Sequence, residues 1–159
     1  MAKWKTIVSA FFRKADPENS FKHLANAAAT VDAIDAAEKA IGIRLPDELR
    51  SFYLQFNGIG LGSEGETDDP RFIRPIEELP SFVTEARSWF AETHGDLASR
   101  FFAFIDWENG DVMGYLAQTN GPFYPYLVTF LHEQYAFEAA QDADEFMEPG
   151  PDSLAEFLS

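Results

Sequence analysis

Two helical signatures stand almost end to end in residues 30–58, T-V-D-A-I-D-A-A-E-K-A-I-G-I-R-L-P-D-E-L-R-S-F-Y-L-Q-F-N-G, and they limit what the chain can fold into. Thr30 suits an N-cap, which leaves Val31, Ile34, Ala37 and Ile41 on one face of a first helix. Gly42 follows where a left-handed stop is cheap. Ile43 and Leu45 are expected to enter the core as a short extended link. Pro46 fits the first turn of a second helix, where a missing N–H costs nothing, and Asp47 and Glu48 face the positive end of its dipole. Leu49, Phe52, Tyr53 and Phe56 recur at helical period, and Asn57-Gly58 tolerates the positive φ that ends a helix. No catalytic group is needed to explain any of these residues.

The remaining pattern changes period along the chain. Residues 3–14 form an amphipathic helix with Trp4, Ile7, Val8, Phe11 and Phe12 on one side and Lys3, Lys5, Arg13 and Lys14 elsewhere. Such a helix can lie on a membrane or dock on the chain's own acidic C-terminal region, and the second is preferred. Residues 20–29 are expected to add a helical turn or two, and the leader 1–29 precedes a domain over 30–159. The glycines and acids after Gly58 read as a loop. Residues 71–74 alternate as a short strand, and a helix is expected over 79–93. Residues 101–105 and 112–116 read as two strands around Asn109-Gly110, a strong hairpin signal. Further strands are expected over 126–131 and 135–139, and Asp152 or Ser153 can cap a last helix through Leu154, Phe157 and Leu158. The fold class is α+β: a mainly antiparallel sheet over about residues 71–139 with the helices packed on one side.

A chain of 159 residues is long enough for one domain with a proper core, and 46% hydrophobic content argues against disorder. Sixteen Phe point to aromatic core packing, with a few rings available for a partner. There is no Cys, so disulfides and thiolate metal sites are excluded. Arg13-Lys14 cut short the only N-terminal apolar run, and no segment approaches the roughly 20 apolar residues of a membrane span. The expectation is a cytoplasmic protein. A net charge of −15 makes nucleic-acid binding improbable. All twelve Lys and Arg lie at or before Arg100, whereas eleven of the Asp and Glu follow it. So one-sided a field steers a basic partner inward, although solubility alone also favours acidic surfaces.

Chemical motifs are sparse. His23, His94 and His132 form no H-E-x-x-H or other ligand pair, and no G-x-S-x-G elbow is present. The Gly-rich loop has no G-K-[ST], and its Glu64, Glu66, Asp68 and Asp69 lack calcium-loop spacing. No metal or cofactor is expected. Asp106 and Asp111 could approach each other across the hairpin and act as an acid–base pair on a sugar, but chance pairs abound among 27 acids.

The stretch from Glu38 through Ile41, Gly42, Leu45, Pro46 and Phe52 to Asn57-Gly58 resembles the N-terminal signature of the SUKH superfamily, the Smi/Knr-like group of cell-wall regulators and immunity proteins. Two further phrases match its later half: the strand followed by I-E-E-L at 76–79, and F-x-x-F-x-D-x-x-N-G-D-V-x-G-Y-L at 101–116. The likeness covers about residues 30–158. It departs at Leu131-His132-Glu133, where the family has a D-H-E-like phrase, and in the long acidic run 139–152. The resemblance implies a non-catalytic binding protein, an immunity protein that occludes a bacterial toxin; the alternative it implies is a regulatory scaffold for a cellular protein. An acidic, aromatic face suits a basic toxin such as a nuclease. Asp106, Glu108, Asp111, Glu133, Glu138, Asp142, Asp144 and Glu145 would supply charge. Trp107, Tyr124, Tyr126 and Tyr135 are candidate anchors, because Trp and Tyr dominate hot spots.

Overall fold

Helices and antiparallel strands alternate irregularly in the computed structural model, which describes residues 3–63 and 69–159. The chain divides into two units, one of residues 1–80 with 153–159 and one of residues 81–152. The first holds α1 (Trp4–Ala15), β1 (Lys22–Ala25), α2 (Val31–Ile41), α3 (Asp47–Tyr53), β2 (Ile59–Gly62), a 3-10 turn at Ile76–Glu78 and the C-terminal helix Leu154–Leu158. Glu64, Glu66 and Asp68, weighed above as calcium ligands, lie outside the described residues.

Trp4, Val8 and Phe12 recur at helical spacing and are the buried face of α1. The Trp4 indole donates to Ser51 Oγ at 2.9 Å and meets the Phe52 ring edge-on at 5.4 Å. Thr30 accepts from the Ala33 N–H and caps α2, and Gly42 stops it at φ +85°. Both features follow the sequence reading. Pro46 stands one place earlier than expected, at the N-cap of α3. Glu38 joins the two helices: one carboxylate oxygen accepts from the Leu45 N–H at 2.7 Å, the other from Arg50 at 2.6 Å.

Helix α3 ends at Tyr53, short of the expected Phe56. Asn57-Gly58 is therefore no helix terminator but a docking point for the segment 73–77. The Asn57 side-chain oxygen accepts from the Ile76 N–H at 2.6 Å and its amide donates to Glu77. Gly58 has φ +100°, and a Cβ there would stand 2.8 Å from the Ile73 carbonyl oxygen. The Tyr53 hydroxyl donates to the Arg74 carbonyl at 2.8 Å, and burial pushes its ionisation far above the ordinary phenol value.

Three expectations need correction in this unit. Residues 22–25 are strand, not helix, and pair with β2 in a segment expected to be loop; the expected strand at 71–74 is a single bridge between Ile59 and Ile73. The cause is local. The Asp16 carboxylate collects the N–H groups of Ser20 and Phe21 and the His23 ring, which turns the chain out of α1 and straight into β1. Gly60 and Gly62 then let backbone and Leu24 close over β2, where any side chain would press on Arg71 or Leu24.

The second unit contains most of α4 (Leu79–Ser88), then α5 (Gly95–Arg100) and a four-stranded antiparallel sheet. Its strands are β3 (Phe101–Asp106), β4 (Val112–Ala117), β5 (Phe123–Phe130) and β6 (Met147–Pro149), in spatial order 3-4-5-6. Phe82 and Ala86 of α4, with Phe90, Leu97 and Ala98, pack on the face formed by Phe101, Ala103, Val112, Leu116, Val128 and Phe130. The fold is α+β with α4 against the sheet, as expected. The helix expected to reach residue 93 stops at Ser88, where the bonds tighten to Trp89 N–H on Ala86 and Phe90 N–H on Arg87. Residues 135–139 are not the fourth strand; Met147–Pro149 takes that place, pairing Met147 with Phe130. Tyr135 turns into the core and Phe137 adopts φ +59°, which strand geometry forbids.

Strands β3 and β4 approach so closely that a Cβ at Gly114 would lie 1.9 Å from the Phe102 carbonyl oxygen. Gly114→Ala is therefore expected to cost about 3 kcal/mol or more of stability, read from the midpoint of denaturant unfolding. A second expectation concerns pH. Burial alone would raise the Asp16 carboxyl, but the Ser20 and Phe21 N–H groups and the His23 ring outweigh it and hold it below its ordinary 3.8. A carboxylate lowered on folding stabilises above its unfolded value and loses that contribution as pH falls through the folded one. Asp16→Asn should unfold earlier than the parent at neutral pH, and the gap should narrow as pH drops below about 4.

Candidate partner-binding face

Residues 81–152 carry thirteen acids against two cations, Arg87 and Arg100, a net charge of −11. Both cations are held by the backbone. Arg87 donates to the Phe101 carbonyl at 2.8 Å, and Arg100 donates to the Ala117 carbonyl at 2.7 Å while pairing with Asp96. The acids are not drained inward in the same way: Glu108, Glu133, Glu138, Asp142, Asp144, Glu145 and Glu148 are all exposed.

The tight turn between β3 and β4 presents the first group. Asp106 accepts from the Glu108 N–H at 2.7 Å and Asn109 from the Asp111 N–H at 2.9 Å, two side-chain turns that let Glu108 and Gly110 take φ near +60° and +101°. Trp107 is left 40% exposed at the tip. Asp111 points the other way, to the residues after β5. Its Oδ1 accepts both the backbone N–H of His132 at 2.9 Å and the ring Nδ1–H at 2.6 Å. That contact brings Glu133 into the neighbourhood of the hairpin, and it occupies one carboxylate of the acid–base pair considered above. His132 is thus a hydrogen-bonded histidine just beyond the end of β5.

Tyr124 and Tyr126 sit toward the opposite end of β5, about 13–20 Å from Phe130 at the rise of an extended strand. They alternate with the same parity as Val128 and Phe130 and so extend the core face, half-buried and stacked on each other at 5.4 Å. A hollow of about 230 Å³ beside them is lined also by Arg100 and Asp144. Asp144 and Glu145 belong to a 3-10 turn, Ala143–Glu145, that Asp142 begins. Tyr135 is 7% exposed and packs among Phe90, Phe130 and Phe146. The candidate residues therefore fall at two ends of one sheet, with Tyr135 beneath the surface.

Sequence reasoning did not single out the cleft that adjoins the hairpin. About 410 Å³ in volume, it is lined by Trp89, Gly110, Phe130, His132, Tyr135 and Phe137. Phe137, 75% exposed, is the most exposed large apolar side chain of those described. Its loop is clipped in place by one glutamine: Gln141 accepts from the Ala136 N–H at 2.8 Å and donates to the Gln134 carbonyl at 2.7 Å. His94 ties the same loop to the turn at 89–94. Its Nε2–H donates to the Gln141 carbonyl at 2.8 Å, so Nδ1 accepts from Thr93, whose hydroxyl also bonds the Tyr135 phenol. The only available signal was the positive φ that Y-A-F-E-A must take, which no single residue type in it advertises.

A larger hollow of about 590 Å³ in the other unit is lined by Asp35, Glu38 and Arg50, but those charges are spent on one another. Among the described residues no group of three or more His, Asp or Glu could hold a metal, and no helix is long and apolar enough to cross a membrane.

The family model described as the SMI1 / KNR4 family (SUKH-1) matches residues 28–148, and the chain belongs to that family. The match runs from α2 into β6 and leaves out α1, β1 and the C-terminal helix. No curated protein sequence matches the chain.

Gln141→Ala should leave the sheet intact while releasing the loop. The expected cost is about 1–2 kcal/mol, and hydrogen exchange of the Ala136 amide should accelerate while that of the β4 amides does not.

Proposed function

We propose that this chain is a protein-binding module that neutralises a basic bacterial toxin domain, such as a nuclease, by covering it. Its membership of the SUKH family supports the class of function. The observation that carries the reading is the charge of residues 81–152, where exposed Glu108 adjoins Trp107 in the β3–β4 turn and both cations are bound to backbone carbonyls. Opposite fields raise association rates without adding contacts, which suits a protein that must intercept a toxin before it acts. The interface would centre on the hairpin, with Trp107 as anchor and Asp106, Glu108, Asp111 and Glu133 around it. Tyr124, Tyr126, Asp142, Asp144 and Glu145 would form a second contact, and Glu138 would border the cleft.

The test is association of the purified chain with the product of the neighbouring gene, followed by stopped flow across ionic strength. The association rate is expected to fall at least tenfold between low and physiological salt, and Glu108→Lys with Glu133→Lys should lower it further while leaving the thermal midpoint within a few degrees. A rate indifferent to salt, or no binding at all to that product, would overturn the reading. Binding to a cellular protein with no toxin activity would instead support a regulatory scaffold.

A further inference from the structure

We propose that the aromatic cleft at Trp89, Phe130, Tyr135 and Phe137 is the seat for one arginine side chain offered by the partner. The proposal rests on the reading of the partner as a basic protein and names the group it inserts.

The lining supplies faces for a flat cation. Four aromatic rings and the imidazole of His132 bound a volume of about 410 Å³, near the small end of the roughly 300–1,000 Å³ of small-ligand pockets. An apolar side chain would also fill such a cleft, but the charge around it argues against that occupant. His132 is held by Asp111 and followed by Glu133, and Phe137 is followed by Glu138. No lysine or arginine lines the cleft, and none follows Arg100 in the chain. A guanidinium stacks on aromatic faces and carries five donors in one plane, whereas an ammonium has neither property.

One lining residue, His132, and the carboxylate bonded to it offer acceptors for those donors. His132 Nδ1 donates to Asp111 Oδ1, so in the neutral ring Nε2 is an acceptor, and it has no partner among the described residues. Asp111 Oδ2 likewise carries no hydrogen bond among them. The ring of His132 lies against the backbone of Gly110, where a Cβ would stand 2.7 Å from the imidazole, so hairpin and histidine hold each other's position. The far wall is equally fixed. The Gln141 clip and the bonds of His94 and Thr93 set the loop that keeps Phe137 turned out into water. A ring so exposed, in a backbone conformation unusual for phenylalanine, is built to cover something.

The experiment uses the full chain and four capped tripeptides, Gly-X-Gly, in which X is arginine, citrulline, lysine or norleucine, with binding followed by NMR. The arginine peptide should shift the Trp89 indole N–H and the Phe137 ring signals saturably, and at least tenfold more tightly than citrulline or norleucine. Phe137→Ala and Asp111→Asn should each weaken it at least fivefold with the β4 amide signals unmoved, and Glu85→Gln on the exposed side of α4 should not. Equal binding of norleucine would make the cleft an apolar pocket and overturn the proposal. Equal binding of lysine, shifts spread over other acids, or no shift at millimolar peptide would overturn it as well. Should the neighbouring gene's product still be captured in a salt-dependent way by the Phe137→Ala chain at an unchanged rate and affinity, the cleft assignment falls alone. The partner reading fails only if that capture or its salt dependence is absent.

Discussion

One carboxylate oxygen organises the acidic end of the sheet. Asp111 Oδ1 takes two donors from His132, a backbone N–H and a ring N–H, and so ties the β3–β4 hairpin to the segment that leaves β5. A carboxylate accepting two such bonds is a stronger tie than neutral pairs. From it follow the orientation of His132, the approach of its ring to Gly110, and one wall of the aromatic cleft. The other wall depends on Gln141 and His94, which use backbone carbonyls and amides and need no charge. Two different kinds of bond thus hold the two sides of the same opening.

How much of this could be read from residues alone depends on whether the signal was periodic. Helices α2 and α3, the strands around Asn109-Gly110 and the final helix under Ser153 all carry repeating apolar positions bounded by a cap or a turn, and all are found, although α3 starts one residue later and ends three residues sooner than its pattern suggests. The errors cluster where one residue overrides its neighbours. Asp16 gathers three donors and turns residues 22–25 into strand, although S-F-K-H-L-A-N reads as helix. Asn57-Gly58 has the composition of a helix end, yet its side chain is spent on Ile76 and Glu77. Y-A-F-E-A alternates cleanly, yet Tyr135 is drawn into the core and the backbone reverses at Phe137.

The candidate site was legible in charge and only partly in geometry. Counting Lys and Arg marked out an acidic stretch of chain, and the structure adds that the two cations of residues 81–152, Arg87 and Arg100, are committed to carbonyls of β3 and β4. Which aromatics would be available could not be counted. Parity along β5 decides that Tyr124 and Tyr126 share the core face, and only tertiary bonds decide that Tyr135 is covered while Phe137 is not. Trp89 escaped notice because it sat inside an expected helix that ends one residue before it.

The commitment of Arg100 has a further meaning for control of the protein. Beyond that residue the chain bears no primary amine on any side chain. Acetylation and other acylations of lysine therefore have no substrate there, and the charge of residues 101–159 is not altered by them. Its strength is set instead by carboxylates, which leaves the dissolved ions of the surroundings as a lever that adjusts it.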